Sequence, residues 1–100
     1  MVSIPKGTLI DIETTGLNWD YDEIVLFGYV EGNCLMIICR TSEEEEPFIA
    51  QIANLIPKLS KPFYAYNFSF EKSFLKAKGI DKGGGRLVPA LERKSREALP

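Results

Sequence analysis

Two carboxylates one residue apart mark the place in this chain where the residue types most strongly indicate chemistry. Asp11 and Glu13 lie in the largely apolar run 9–13, just before a polar turn at Gly16. On a β-strand, residues i and i+2 point to the same face, so both side chains would lie together near the strand's C-terminal end. Neighbouring carboxylates repel each other, and a hard divalent cation such as Mg²⁺ or Mn²⁺ is their usual neutralising partner. The pair therefore predicts a cation site at this strand end.

A second stretch, residues 63–75, adds a family resemblance. The segment Asp-Ile-Glu-Thr-Thr-Gly-Leu at 11–17 resembles the first motif of the DEDD-type 3′–5′ exonucleases, which have a ribonuclease-H-like fold. The segment Tyr-Asn-Phe-Ser-Phe-Glu-Lys-Ser-Phe-Leu at 66–75 is similar to their second motif, and most to the predicted-ribonuclease branch, in which Tyr-Asn opens it. The resemblance covers residues 7 to about 80.

The resemblance implies a metal-dependent hydrolysis of phosphodiester bonds at DNA or RNA ends. Asp11 and Glu13 would bind two divalent ions, Mg²⁺ or Mn²⁺, and Glu71 stands where the second motif normally has aspartate. Two such ions, roughly 3.5–4 Å apart, serve the attacking and the leaving oxygen of an in-line displacement. Asp11, Glu13 and Glu71 are thus the expected metal ligands and catalytic residues.

Five further residues are candidates for substrate binding. By resemblance, the backbone groups of Thr14 and Thr15 would meet the terminal nucleotide, Gly16 would allow its close approach, and Leu17 would pack against a base. Asn67 lies one helical turn before the second-motif glutamate, where it either shares the glutamate's face or caps the helix.

The aromatic residues near the motifs leave alternatives open. Trp19 and Tyr21 follow the first motif in a loop, where they either stack on a base or simply pack within the loop. Phe70 most resembles a core position.

The third motif of the family supplies a fourth carboxylate and a histidine or tyrosine base, and it is not visible in this sequence. Glu92 and Glu97 are the only acidic residues after Asp81. Three outcomes follow. The chain is a weak nuclease of impaired activity with a three-carboxylate site; or a second chain or a homodimer completes the site; or the domain binds nucleic acid or assembles with a protein without cutting. A missing fifth strand would leave strand four as a bare edge, open to such pairing.

The elements that must position these residues indicate an α/β fold. Residues 7–13, 23–30 and 34–40 are expected to form three strands, and a helix beginning near Glu46 leads to a short strand at 62–66. A strand-helix-strand crossover makes that last strand parallel, and the resembled fold places it beside strand one. The prediction is a ribonuclease-H-like, three-stranded antiparallel meander plus a fourth strand parallel to strand one, with helices on the faces.

The C-terminal part is expected to hold two more helices. One runs from about Ser69 to Lys78 and stops at Gly79, a favoured residue after a helix end. Residues 1–82 would form the exonuclease-like α/β domain, and residues 83–100 a glycine link and a C-terminal helix.

The first helix carries a cap signal and an acidic run. Ser42 and Glu45 have the spacing of a capping box, and the run 43–46 is expected to be a solvated cap. Pro47 is tolerable only in the first turn, and Pro57 should kink or end the helix.

Composition narrows the class of protein. One hundred residues with 45% apolar content indicate one globular domain, and no apolar run approaches the ~20 residues of a membrane span. No secretory signal is visible, so a cytoplasmic location is expected. The absence of histidine excludes His-ligated zinc and His-based triads. Cys34 and Cys39, on opposite strand faces by their spacing, are expected to be reduced core thiols.

Charge is unevenly distributed along the chain. Residues 1–57 carry 2 basic and 10 acidic side chains, whereas residues 58–100 carry 10 basic and 4 acidic ones. A cationic second half suits a phosphate track, but solvated helix faces with a basic tail would give the same distribution.

Overall fold

The computed structural model of the protein describes residues 6–80 and, for the backbone alone, residues 87–89. Its helices and strands, in chain order, are β1 (Thr8–Thr14), β2 (Ile24–Glu31), β3 (Cys34–Cys39), α1 (Glu46–Leu55), a 3-10 turn (Ile56–Lys58), β4 (Phe63–Ala65), α2 (Phe68–Ala77) and β5 (Leu87–Pro89). These bounds lie within two residues of the strands and helices expected over residues 7–78.

The strands form one mixed sheet in the order β3-β2-β1-β4-β5. β1 pairs antiparallel with β2, and β2 pairs antiparallel with β3, which gives the meander. β4 lies parallel to β1, with Thr8 opposite Phe63 and Leu9 opposite Tyr64. The predicted fold class is confirmed: a three-stranded meander with a fourth strand parallel to the first.

Both helices pack against the same face of the sheet. Ile10 and Ile12 of β1 turn inward on this face, and residues of both helices join them in one core. The buried apolar residues of that core are Ile10, Ile12, Ile24, Phe27, Phe48, Ile52, Ile56, Leu59, Phe63, Ala65, Phe74, Leu75 and Ile80. The two crossovers, β3-α1-β4 and β4-α2-β5, advance across the sheet in one direction, so right-handedness places both helices on one side.

The opposite face of the meander remains more open. On β3 the side chains of Leu35 and Ile37 are 66% and 57% exposed, so within residues 6–80 the expectation that both faces are covered is not met. Cys34 and Cys39 are free and exposed. The prediction of core thiols was wrong because β3 is a sheet-edge strand that neither helix buries.

The far edge of the sheet also differs from expectation. β5 pairs parallel with β4, so β4 is not a bare edge, and the predicted reason for strand pairing there was wrong. Residues 87–89, expected at the start of a C-terminal helix, form this strand instead. The glycine link and the rest of that helix, with Glu92 and Glu97, lie outside the described residues, and the boundary at 82 remains a prediction.

The first helix begins as expected, but not by the expected cap. Glu45 is the N-cap residue of α1 and makes no side-chain capping hydrogen bond within the described residues. The hydroxyl of Ser42 donates to the carbonyl of Glu44 at 2.7 Å, so the predicted capping box was wrong. Pro47 lies in the first turn, and the regular helix gives way to the 3-10 turn before Pro57, as predicted.

The second helix ends at Ala77, and Gly79 follows it with φ +74°, the left-handed conformation expected of a helix-ending glycine. Over the described residues, neither α1 nor α2 has the length and apolar character needed to cross a membrane.

Candidate functional site

The first two carboxylates lie where the strand pattern places them. Along β1, buried Ile10 and Ile12 alternate with Asp11 and Glu13, which are exposed. The alternation turns both carboxylates to the face opposite the helices, near the C-terminal end of the strand. Their expected side-by-side placement is therefore present in the structure.

The third carboxylate, Glu71, reaches the end of β1 from the helix that follows the neighbouring strand β4. β4 ends at Ala65, and α2 begins three residues later, which places Glu71 in its first turn. The Glu71 side chain is almost fully buried, with 1% exposed, and its Oε2 accepts the Ile12 backbone N–H at 2.9 Å. The carboxylate thus pairs with a backbone N–H of β1 that lies beyond the end of β4.

Burial and two like charges act on Glu71 together. Together they raise the pKa of Glu71 from its ordinary 4.5 to about 7. Desolvation by burial is the largest cause, and the Ile12 hydrogen bond opposes it. Asp11 contributes to the rise by repulsion and by a shared hydrogen bond, and Glu13 contributes by repulsion alone. The site therefore carries more negative charge than the protein around it compensates.

The three carboxylates line one open cleft of about 330 Å³. Its walls come from the end of β1, the turn after it and the start of α2: Asp11, Ile12, Glu13, Thr14, Gly16, Leu17, Asn67, Phe70 and Glu71. All three expected metal ligands and all five substrate-binding candidates except Thr15 lie here.

Thr15 is directed instead into the loop between β1 and β2. Its backbone N–H donates to the carbonyl of Glu23 at 2.9 Å, and its hydroxyl donates to Asp22 Oδ1 at 3.0 Å. Asp22 Oδ2 also accepts the Asn18 N–H at 2.9 Å, and the ammonium of Lys78 donates to the Asp22 carbonyl at 2.9 Å. Asp22 therefore holds this loop closed and ties it to the end of α2.

Gly16 is required by the close approach of Asp22. A Cβ at position 16 would lie 2.5 Å from Asp22 Oδ2 and 2.8 Å from its Cγ. The hydroxyl of Thr14 donates to the Gly16 carbonyl at 2.6 Å, which fixes the turn from the other side. The glycine therefore serves the packing of the turn.

The remaining lining residues differ in character. Leu17 is 85% exposed, and Phe70, expected in the core, is only partly buried and forms a wall of the cleft. Asn67 is the N-cap residue of α2, but its side chain makes no capping hydrogen bond in the part of the chain described. Its amide is thus not used by the helix and remains available in the cleft.

Sequence reasoning missed Asp22 and the role of the Ile12 amide. Asp22 lies in a polar loop where any of several residues could have organised the turn, and a backbone donor leaves no mark in a sequence. Trp19 and Tyr21 do not line the carboxylate cleft in the described residues; both are exposed, at 50% and 73%.

Comparison with known families identifies the class of protein. A family model, RNase_H_2 of the RNase_H superfamily, matches residues 8–88, and the chain belongs to this superfamily. Its members are commonly nucleases that hydrolyse nucleic acids with divalent metal ions. A search of curated proteins gives no match.

Proposed function

We propose that the protein is a Mg²⁺- or Mn²⁺-dependent 3′–5′ exonuclease of the DEDD type, acting on DNA or RNA ends. The observation that carries the proposal is the meeting of Glu71 with Asp11 and Glu13 in one cleft of a ribonuclease-H-superfamily domain. A buried acid beside two exposed ones, with no cation bonded to it among the described residues, is an arrangement that costs stability. Such a cost is typical of a functional site.

The donor set fits a hard divalent cation in its chemistry. Three carboxylates supply oxygen ligands, which Mg²⁺ and Mn²⁺ prefer over sulfur or nitrogen. Among residues 6–80, no three His, Cys, Asp or Glu side chains are yet placed to hold one ion together. Glu71 keeps Oε2 on the Ile12 amide. Ligation of one ion by all three carboxylates would therefore need side-chain movement. When bound, divalent ions would activate a water nucleophile and stabilise the leaving oxygen.

The chain's own residues have separate roles in this proposal. Asp11, Glu13 and Glu71 are the proposed metal ligands. Leu17 and Phe70 give the cleft apolar walls suited to the base or sugar of a terminal nucleotide. Thr14, Gly16 and Asn67 line the same cleft and offer polar atoms to that nucleotide.

The proposal is tested by degradation of single-stranded oligonucleotides labelled at one end. With Mg²⁺ or Mn²⁺, a 5′-labelled strand should give a ladder of shortened products, and a 3′-labelled strand should release labelled mononucleotide at once. Chelator should abolish both, and Asp11→Asn should lower the rate by about 100-fold or more. Asp20→Asn is the matched control, because Asp20 is exposed and outside the cleft. Degradation that survives in chelator and in Asp11→Asn contradicts the proposal.

The exposed apolar side of β3 favours a second candidate, a non-catalytic module that assembles with a second copy of the chain. Among the described strands β3 pairs only with β2, and its six residues, Cys34–Cys39, carry no charge that would discourage edge pairing. Sedimentation velocity should then show a dimer that Ile37→Lys converts to monomer. A monomeric wild-type protein rules this candidate out.

A further inference from the structure

A second cleft lies beside the candidate active site, on the other half of α2. It measures about 450 Å³ and is lined by Trp19, Ser73, Lys76 and Ala77. Its lining combines an indole that is half exposed, an ammonium group and a hydroxyl. These are the groups that stack on a nucleic-acid base and contact a backbone phosphate.

The two clefts lie along the same two parts of the molecule, α2 and the loop after β1. On α2, Asn67 and Phe70 line the carboxylate cleft, while Ser73 and Ala77 line the second. These four residues are spaced three or four apart, so they lie along one side of the helix. From Phe70 to Ala77 the helix rises ~10 Å, which a single strand spans with roughly three nucleotides when its bases stack 3.4 Å apart and with fewer when it is extended.

The facing wall is the loop after β1, which supplies Leu17 to the first cleft and Trp19 to the second. This loop is held in place before any ligand arrives. Asn18 accepts the Asp20 N–H on its side-chain oxygen and the Asp22 N–H on its carbonyl, at 2.9 and 2.8 Å. Trp19, which lies between these bonded residues, is thus presented from a preorganised turn, so that little ordering entropy opposes binding.

Among the lysines at positions 72, 76 and 78, Lys76 is the one that lines the second cleft. Lys72 lies over the ring of Phe68, 5.4 Å from its centroid, and Lys78 is bonded to Glu45 at 2.9 Å. Lys76 is exposed and lines the cleft beside Ser73. A phosphate bound there would lie on the same helix, α2, that lines the carboxylate cleft.

We propose that the Trp19 cleft is a second nucleotide subsite for single-stranded nucleic acid, in which the indole stacks on a base upstream of the terminal nucleotide and Lys76 pairs with a backbone phosphate. The inference rests on the proposed function in one respect: the terminal nucleotide occupies the carboxylate cleft. DNA and RNA share the base and phosphate groups that this subsite recognises.

Trp19 is the one tryptophan of the chain, so its fluorescence reports on this cleft directly. Oligothymidylates and oligouridylates of one to about six nucleotides are titrated into the full chain in chelator. Saturable quenching by strands of three or more nucleotides, with little by the mononucleotide, supports the subsite, and the two series distinguish DNA from RNA. Equal quenching by the mononucleotide and the longest strand, or none by either series, overturns it.

Variants assign the two contacts, with binding followed by the anisotropy of a labelled strand. Trp19→Leu should weaken binding by about 5- to 150-fold, since one stacked base contributes ~1–3 kcal/mol. Lys76→Gln should reduce the slope of log affinity against log salt by about 0.7, the loss of one phosphate contact on a single strand. Tyr21→Leu in the same loop and Lys58→Gln, an exposed lysine beyond α1, are the matched controls. Equal effects from the controls overturn the inference.

The outcome separates this inference from the proposed function. Length-dependent quenching without any hydrolysis in Mg²⁺ or Mn²⁺ leaves the subsite standing and removes the nuclease. Hydrolysis with a KM that Trp19→Leu does not change leaves the nuclease standing and removes the subsite.

Discussion

Two glutamates of this molecule make the same backbone contact in opposite electrostatic surroundings. Glu45 accepts the Ile24 N–H at 2.8 Å, and Glu71 accepts the Ile12 N–H at 2.9 Å, so each carboxylate satisfies a strand donor from a helix start. The second oxygen of Glu45 accepts a hydrogen bond from Lys78 at 2.9 Å. The neighbours of Glu71 are instead two further acids.

Under the proposed function, the difference separates a structural contact at Glu45 from a metal-binding one at Glu71. The charge on Glu45 is paired within the protein, and its side chain and that of Lys78 are 13% and 16% exposed. The charge on Glu71 is repelled by Asp11 and Glu13, and burial opposes it as well. The first site is complete in itself, whereas the second would be completed by a cation. Each of the following predictions breaks one of the two arrangements.

The largest expected effect is on activity. Glu71→Gln should lower the rate of oligonucleotide hydrolysis by about 100-fold or more, since it removes a charged ligand while its amide oxygen can still accept the Ile12 N–H. Glu45→Gln should leave the rate nearly unchanged once folding is verified by circular dichroism. If both variants lose activity to the same degree, Glu71 acts through the fold and the distinction between the two glutamates fails.

The next effect is on stability against pH in metal-free protein. Unfolded Glu71 ionises around its ordinary pKa of 4.5, whereas the folded protein holds its proton until about pH 7. The folded state therefore binds more protons between these values, and stability falls as the pH rises through them. The loss should be about 3 kcal/mol and complete above pH 7.

Urea unfolding in chelator across this range measures the effect. Glu71→Gln should remove most of the slope and be more stable than wild type above pH 7, because a neutral amide replaces a buried charge. A wild-type profile that is flat between pH 4.5 and 7, or one that the variant leaves unaltered, contradicts the assignment.

A smaller effect is expected at the paired glutamate. Lys78→Met leaves Glu45 partly buried without its cation and should cost about 1–3 kcal/mol in urea unfolding. The double variant Glu45→Gln with Lys78→Met should recover part of that loss, because no unpaired charge remains. A single-variant cost near zero would show that solvent already screens this pair.

The positions of the residues that line the candidate cleft could largely be predicted from the sequence, because they follow from short-range rules, whereas their role as a metal site stays a prediction. The two-residue period of a strand places Asp11 and Glu13 together, and the first turn of the next helix places Glu71 beside them. The mixed sheet followed in the same way from strand pattern and crossover handedness. These features depend on residues near one another in the chain or on rules that hold for nearly all folds.

The parts that could not be predicted depend on contacts between distant segments. Glu45 looked like a solvated cap, since nothing in its neighbourhood indicates Lys78, 33 residues away. Cys34 and Cys39 looked buried because an apolar strand does not say which of its faces a helix will cover. β5 is three residues long, too short for a periodic signal to separate it from a helix.

The most direct test of the central claim is a calorimetric titration of Mn²⁺ into the protein, above the raised pKa of Glu71. We expect saturable binding by wild type and by Glu45→Gln, and a large loss of affinity in Glu71→Gln and Asp11→Asn. Absence of saturable binding in wild type, or binding that Glu71→Gln leaves intact, would contradict it.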